Sequence, residues 1–469
     1  MNSDRIGSLP SLKDLPTRKF HSKPAEDPYV FQPVVRSLLT DKIEISTTYL
    51  QTKFSEEHIL DTFISNDPSK IDQICKNLTA LLQNHESHQT TILNNENIVE
   101  AINNSITCIN NANLVTSFSM FILSLLENDN TVMVDSGILF GMRDLINNYP
   151  DQILNFYHEV PLVSTYARDA IICNGIISDI IDKIKNEQYT TNDTCVKSAH
   201  TLLSLFSCSE PIANNVIEPF LPEIIHLLNI GNEKALYYII HTVINIVRKN
   251  HDFVSDIYEL KIHEYAAKIL PIKSLTRICV HMIVNLGVCE TMGIAHLMNA
   301  GVIQSLIDLT KNHEVAPSSY WALSNCTESA PSIIIPFIPV ELLSDTLALL
   351  NSQNIDEITK KECVYFLGTL LLYSPIEKFH IIVSNEILEQ IITMLSSSND
   401  SLVCRCLDAL GRVLFVGITN EKKKYVISMI CSSPELSSHM ERISSSDNTI
   451  LSNKAKTFMS EADKKKKEL

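Results

Sequence analysis

The chain has 469 residues, of which 45% are hydrophobic and 20% are charged, and its net charge at pH 7 is −16. This acidic balance argues against nucleic acid as a direct partner, because phosphate binding requires a basic face. Only 11 glycines occur and apolar residues recur at three- and four-residue steps, which favours helices over β-hairpins. No run of about 18 apolar residues is present, so we expect no membrane insertion. The composition predicts a soluble, intracellular, all-α protein.

Residues 1–34 form a polar segment with five prolines and no apolar run like the core of a signal peptide. We therefore expect a flexible N-terminal leader. Its most basic stretch is Arg18–Lys23.

Three segments share a small or polar residue, a glycine and then two apolar residues, with the glycines at Gly137, Gly175 and Gly301. The first two glycines are about one period of ~40 residues apart, and the third follows after about three such periods. Glycine tolerates φ > 0 at a helix C-terminus, so we expect a short first helix to turn sharply there into a second helix. The amphipathic segment Val302–Leu309 predicts such a second helix.

A second repeat signal consists of cassettes in which a ring is followed four positions later by asparagine: His241–Asn245, His281–Asn285 and Trp321–Asn325, at two equal intervals. Related segments place His200 about one interval before the first ring and Tyr365 about one interval after the last. The intervals match the period of ~40–47 residues that is typical of armadillo and HEAT arrays. A longer third helix carries each cassette, and three helices per repeat is the armadillo pattern.

At this period residues 35–460 accommodate roughly ten three-helix repeats. We predict one armadillo-repeat domain, a right-handed superhelical solenoid whose third helices line a groove. Residues 461–469, with the run Lys464–Lys467, are expected to form a charged C-terminal tail. This tail is either solvated or a short targeting or contact segment.

The sequence offers no motif for catalysis or for a cofactor. It has no Gly-rich phosphate loop and no Ser/His/Asp motif, so we do not expect an enzyme. The 12 cysteines are scattered among apolar neighbours without the paired spacing of a zinc site. Buried reduced thiols and no metal are therefore expected.

The ring and the asparagine of a cassette lie one turn apart on the same helix face. An asparagine amide can bind both the N–H and the C=O of an extended peptide, and the rings form slots for lysine or arginine stems, with a cation–π contribution of ~0.5–2 kcal/mol. Alternatively, these side chains are ordinary surface or core residues. The candidate peptide-binding residues are His241, Asn245, His281, Asn285, Trp321, Asn325, Glu362 and Tyr365.

Trp321–Asn325 reproduces the Trp-x-x-x-Asn cassette of importin α (karyopherin α), which the chain resembles over most of its length. Ala300–Ile303 resembles the glycine hinge of that family, and Thr47–Ser55 resembles a first-repeat helix. The resemblance implies a nuclear import adaptor that binds basic nuclear-localisation signals as extended peptides and shuttles between cytoplasm and nucleus. It also implies importin β and an export receptor as partners.

The chain departs from this family in two places. The cassettes correspond to repeats six to eight, the family's minor site, whereas Lys76–Leu82 and Phe118–Leu125, at the major site, lack the cassette. We therefore expect cargo mainly around the three cassette asparagines. The stretch Arg18–Lys23 is either a reduced importin-β-binding segment or a solvated leader. The competing hypothesis is an armadillo scaffold for other extended peptides, which is not a transport factor.

Overall fold

The computed structural model describes residues 55–82, 89, 92–127, 131–188, 193–415 and 420–468. Within these ranges every regular element is a helix, which confirms the predicted all-α class. The chain divides into two compact units: the front unit spans Val35–Leu286, and the rear unit contains Gly287–Leu469. The predicted leader lies outside the described residues.

Sixteen α-helices occur in the described part of the front unit. They are α1 (Glu56–Ile64), α2 (Pro68–Leu82), α3 (Glu96–Asn104), α4 (Ala112–Leu126), α5 (Thr131–Asp135), α6 (Ile138–Asp144), α7 (Pro150–Val163), α8 (Thr165–Cys173), α9 (Ile176–Glu187), α10 (Thr194–Ser207), α11 (Asn214–Ile217), α12 (Leu221–His226), α13 (Glu233–Lys249), α14 (Val254–Glu259), α15 (Ile262–Ile269) and α16 (Thr276–Leu286).

Twelve more occur in the described part of the rear unit. They are α17 (Thr291–Asn299), α18 (Val302–Leu309), α19 (Ala316–Ser329), α20 (Pro331–Phe337), α21 (Val340–Leu350), α22 (Glu357–Tyr373), α23 (Ile376–Ile382), α24 (Asn385–Met394), α25 (Asp400–Phe415), α26 (Asn420–Ser432), α27 (Pro434–Ser444) and α28 (Thr449–Glu468).

These helices are arranged as consecutive repeats. From α5 onward every third helix ends a three-helix repeat, which is the predicted armadillo pattern; the repeats ending at α2 and α4 show two described helices each. We call the last helix of each repeat its inner helix. In the front unit α2, α4, α7, α10, α13 and α16 pack one against the next, and in the rear unit α19, α22, α25 and α28 do the same. Both units are therefore α-helical repeat solenoids.

The glycine hinges occupy the backbone conformation expected of them. Gly137, Gly175 and Gly301 have φ of +84°, +85° and +78° and directly precede α6, α9 and α18. At the corresponding place before α15 stands Lys261, with φ of +64°. An L-residue with a side chain is disfavoured in this left-handed region, so one front-unit hinge is strained where the others are relaxed.

Apolar positions of the second helices face the repeat core, as predicted. The predicted segment Val302–Leu309 coincides with α18, which buries Val302, Ile303, Leu306 and Ile307. All 12 cysteines are free thiols and seven are buried. Burial raises the pKa of Cys279, as expected for an inert core thiol.

The C-terminal end differs from the expected tail. Helix α28 continues through Glu468 and includes Lys464–Lys467 in its last turns. The expected boundary after residue 460 therefore falls inside a helix. Basic residues at this end of a helix interact favourably with its exposed carbonyls.

Neither a membrane-spanning helix nor a metal-binding cluster occurs among the described residues. No single helix there is long and apolar enough to cross a membrane; α20 and α21 satisfy length and composition only together, with a bend of 80° between them. In the same ranges no group of three His, Cys, Asp or Glu side chains is placed to hold a metal ion.

Candidate peptide-binding surface

All eight candidate residues lie on inner helices. His241 and Asn245 are on α13, His281 and Asn285 on α16, Trp321 and Asn325 on α19, and Glu362 and Tyr365 on α22. The first four belong to the front unit and the last four to the rear unit. Within the described residues α13 is the fifth inner helix, so the sixth-repeat position predicted for it would require a further repeat before residue 55.

A continuous row of rings crosses three inner helices of the front unit. The ring centroid of His158 on α7 is 4.2 Å from that of His200 on α10, which is 4.8 Å from that of Tyr238 on α13. The row continues along α13 through Tyr237, whose centroid is 5.6 Å from that of Tyr238 and 4.8 Å from that of His241. All five side chains are half-buried. We call these five residues the ring row.

The repeat period explains why these rings meet. His158, His200 and His241 follow one another at nearly equal intervals of about one armadillo period, so each occupies the same place on successive inner helices. The sequence pattern did not indicate His158, Tyr237 or Tyr238. His158 is followed four positions later by Leu162 instead of an amide, and its spacing to His200 was the one available signal. Tyr238 precedes His241 by one helical turn and therefore shares its face.

The imidazoles of His158 and His200 favour the neutral state. Burial lowers the pKa of His158, and it lowers the pKa of His200 to about 4 with a further contribution from His158. Two imidazolium ions with centroids 4.2 Å apart would also repel each other. At neutral pH these two rings are therefore uncharged.

Asn245 connects two inner helices next to the ring row. Its Nδ2 donates to Oγ of Ser207 on α10 over 3.2 Å, and that hydroxyl donates to the carbonyl of Leu203 over 2.7 Å. No donor among the described residues contacts Oδ1 of Asn245, which remains an acceptor for a peptide N–H. The amide is half-exposed, as a peptide-binding amide must be.

The other two cassette amides are less accessible. Asn285 is 7% exposed and donates through Nδ2 to the carbonyl of His281 over 2.7 Å within its own helix. Its Oδ1 is buried without a hydrogen-bond partner among the described residues. Asn325 is 6% exposed. Of the three amides, Asn245 alone is presented without rearrangement, while His281 and Trp321 beside the other two are half-buried rings.

In the rear unit the predicted slot at Tyr365 is filled by the chain itself. Tyr365 is 3% exposed, and the guanidinium carbon of Arg405 on α25 lies 4.9 Å from its ring centroid. Nη2 of Arg405 donates to Oη of Tyr365 over 3.0 Å and to Oε1 of Glu328 over 2.6 Å. The candidate residue Glu362, a carboxylate one helical turn before Tyr365, is half-buried on α22. No signal in the sequence identified Arg405 as the group that covers this ring.

Basic side chains on inner helices also cap their neighbours. Nζ of Lys249 on α13 donates to the carbonyls of Phe206, over 2.7 Å, and Cys208 at the end of α10, and burial lowers the pKa of Lys249 to about 8. In the rear unit Arg412 on α25 donates to two carbonyls at the end of α22. Cations at a helix C-terminus stabilise its unpaired carbonyls. These cations are therefore bonded to backbone instead of being offered to an acidic partner.

Comparisons with known proteins reveal similarity of structure. The crystal structure of an engineered protein matches 87% of this chain and 98% of its own, with a TM-score of 0.64 and 16% sequence identity. A designed armadillo repeat protein in complex with the peptide (KR)4 matches 52% of this chain and 99% of its own, with a TM-score of 0.42 and 18% identity. No family model matches the sequence, and a comparison with curated proteins gives no significant match. At this identity the first likeness shows the fold alone.

Proposed function

We propose that the front unit binds an extended peptide along the ring row. The main support is the unbroken contact of His158, His200 and Tyr238 across three successive inner helices. A row of this kind presents aromatic faces at the repeat interval, and the half-exposed amide of Asn245 stands at its edge. The rings then contact the side chains of the peptide, and the amide forms hydrogen bonds with the peptide backbone.

The geometry sets the size of the peptide. Neighbouring packed helices are ~8–10 Å apart, so α7 to α13 spans two steps, or ~16–20 Å. An extended chain rises ~3.3 Å per residue, so about six residues cover this distance. A peptide of about eight residues therefore covers the ring row and the amide beyond it.

The chemistry of the row suits lysine and arginine side chains. Uncharged rings accept the apolar stems and, through their faces, the cationic heads. Glu159, next to His158 on α7, is half-buried and contacts no cation among the described residues, and burial raises its pKa. A basic peptide would supply the missing counter-charge. The net charge of −16 is in keeping with such a partner.

In its more specific form the proposal is a nuclear import adaptor. The chain would bind basic nuclear-localisation signals, associate with importin β and an export receptor, and shuttle between cytoplasm and nucleus. It would act without catalysis, a cofactor or contact with nucleic acid. The support for this form is the Trp321–Asn325 cassette together with the ring row.

Peptide binding is tested by fluorescence anisotropy with labelled octapeptides of lysine and arginine, of glutamate and aspartate, and of neutral residues. We expect the basic peptide to bind and the double variant His200→Ala/Tyr238→Ala to lose most of that affinity. The matched control is His226→Ala/Tyr265→Ala, which removes a His–Tyr pair joined by 3.1 Å on second helices of the same unit. Equal binding by both variants would refute the site.

Import is tested separately in permeabilised cells with a fluorescent cargo carrying the same basic octapeptide. Nuclear accumulation that depends on the chain and on importin β supports the adaptor.

One observation favours the alternative, a scaffold for other extended peptides: the slot expected to take a basic side chain at Tyr365 already holds Arg405. Peptide binding without nuclear accumulation would establish that alternative.

A further inference from the structure

The rear unit contains a binding site for a guanidinium group, formed by two inner helices and filled by Arg405 from a third. Glu328 on α19 supplies the carboxylate, Tyr365 on α22 supplies a ring and a hydroxyl, and Tyr373 further along α22 supplies a second ring. The guanidinium carbon of Arg405 is 4.9 Å from the first ring centroid and 5.6 Å from the second. These are the groups that recognise an arginine: a carboxylate for its charge and aromatic faces for its plane.

A glycine makes room for the stem of this arginine. Gly368 lies inside α22, where glycine is unfavourable relative to alanine. A Cβ on Gly368 would stand 3.1 Å from Cγ of Arg405. The helix thus lacks a side chain where the aliphatic part of Arg405 passes, and the guanidinium reaches the slot with the residue only 6% exposed.

We infer that Arg405 is a specificity-determining residue that occupies this slot as a built-in ligand. It thereby excludes the basic side chains of a partner from the slot at Tyr365. The inference rests on the proposed function, because exclusion matters only where a peptide follows the inner helices. It predicts that removing the guanidinium opens a site for an external one. In the unmodified chain the slot at Tyr365 is therefore closed.

The slot is tested first without any peptide. Arg405→Ala is expected to lower the midpoint of thermal unfolding by about 4–8 °C, since it leaves Glu328 without its partner. Millimolar ethylguanidinium should restore at least half of that loss, and ethylammonium, which lacks the planar fork, should restore far less. The double variant Arg405→Ala/Glu328→Gln should show no such rescue. Equal effects of the two ions, or rescue of the double variant, would overturn the slot.

The exclusion is tested with an arginine octapeptide and a neutral octapeptide of equal length. In the background His200→Ala/Tyr238→Ala, which removes most front-unit binding, Arg405→Ala should bind the arginine peptide about fivefold more tightly than the background chain does, a gain typical of one cation–π slot, with no change for the neutral peptide. Arg405→Met keeps the stem beside Gly368 and serves where Arg405→Ala fails to fold; the same gain is expected.

The outcomes separate the two proposals. Rescue by ethylguanidinium without a gain in peptide affinity overturns the exclusion and leaves front-unit binding intact. If the unmodified chain binds no peptide, the proposed function fails and the exclusion fails with it, while the rescue still decides whether Glu328, Tyr365 and Tyr373 form a guanidinium site.

Discussion

The two units use similar rings on their inner helices in opposite ways. In the front unit His158, His200 and Tyr238 contact one another from helix to helix, ring against ring. In the rear unit the ring of Tyr365 is covered by the guanidinium of Arg405. One surface is a half-buried row of neutral rings, and the other is filled by a charge of the chain itself.

The difference comes from a single position one repeat later. One repeat after His158 stands the ring of His200, whereas the residue 40 positions after Tyr365 is Arg405. A ring that follows a ring extends the row, and an arginine that follows a ring closes it. Binding capacity along a solenoid can therefore be set repeat by repeat without altering the backbone.

The largest expected change in the free energy of unfolding comes from removing the counter-charge of the guanidinium buried in the rear unit. Glu328→Gln removes the counter-charge of a guanidinium that is 6% exposed, so we expect a loss of about 3 kcal/mol in the free energy of unfolding. The side chain of Glu328 is 23% exposed, which keeps this value at the lower end for a buried pair. Urea titration of the variant measures it.

A front-unit ion pair provides the control. Lys185 and Glu223 are 2.7 Å apart, with side chains 42% and 48% exposed. Glu223→Gln should change the free energy of unfolding by less than about 1 kcal/mol, because solvent screens exposed pairs. Similar losses for the two variants would show that Arg405 is not held by a buried charge pair.

The next effect is the pH dependence of the front unit. Because the folded pKa of His200, about 4, lies below the ordinary value near 6.5, the unfolded chain binds the proton first as the pH falls. The stabilisation is complete above about pH 6.5 and is lost as the pH falls toward 4. Since His200 is only half-buried and solvent screens its charge, we expect this side chain to contribute a loss of about 2 kcal/mol, less than a fully buried histidine would give.

The measurement compares the unmodified chain with His200→Phe between pH 7 and pH 4. The variant keeps a ring in the row but does not titrate, so its stability should fall less over this interval. Glu159 has a raised pKa and changes stability in the opposite direction, but it is present in both proteins and cancels in the difference. Parallel pH curves would contradict the assignment to His200.

Placing an arginine in the ring row of the front unit tests the comparison at the level of peptide binding. His200→Arg should interrupt the front row as Arg405 closes the rear slot, and we expect at least about tenfold weaker binding of a basic octapeptide, or ~1.4 kcal/mol. Like-charge repulsion and the loss of the ring contact with His158 act in the same direction. The control is His226→Arg on a second helix, which should leave binding unchanged. A variant that binds normally would show that the row does not carry the peptide.

What the sequence predicted depends on the distance between the residues that form each feature. The repeat, the glycine hinges and the bounds of α18 depend on neighbours within one repeat, and all were predicted. The contact of Arg405 with Glu328 joins residues 77 positions apart on different helices, and no cassette contains it. The lysine at hinge position 261 was missed because the pattern required a glycine. Local patterns thus identified the scaffold but not the group that closes the slot.

The smallest expected effect concerns the hinges, where the two units can again be compared. Lys261→Gly should stabilise the front unit by about 0.5–1 kcal/mol, because relief of the left-handed strain exceeds the extra entropy that glycine has in the unfolded chain. Its ion pair with Glu264 is exposed, with side chains 67% and 48% accessible, and contributes little. Gly301→Ala in the rear unit should destabilise by about 1 kcal/mol.

The rear-unit substitution isolates the backbone effect, because an added Cβ at Gly301 meets no atom within 4 Å. A loss measured there by urea titration can therefore come only from φ of +78° and not from a clash. If Lys261→Gly fails to stabilise while Gly301→Ala destabilises, the lysine hinge is relaxed by contacts beyond the Glu264 pair, and the hinges of the two units are not equivalent.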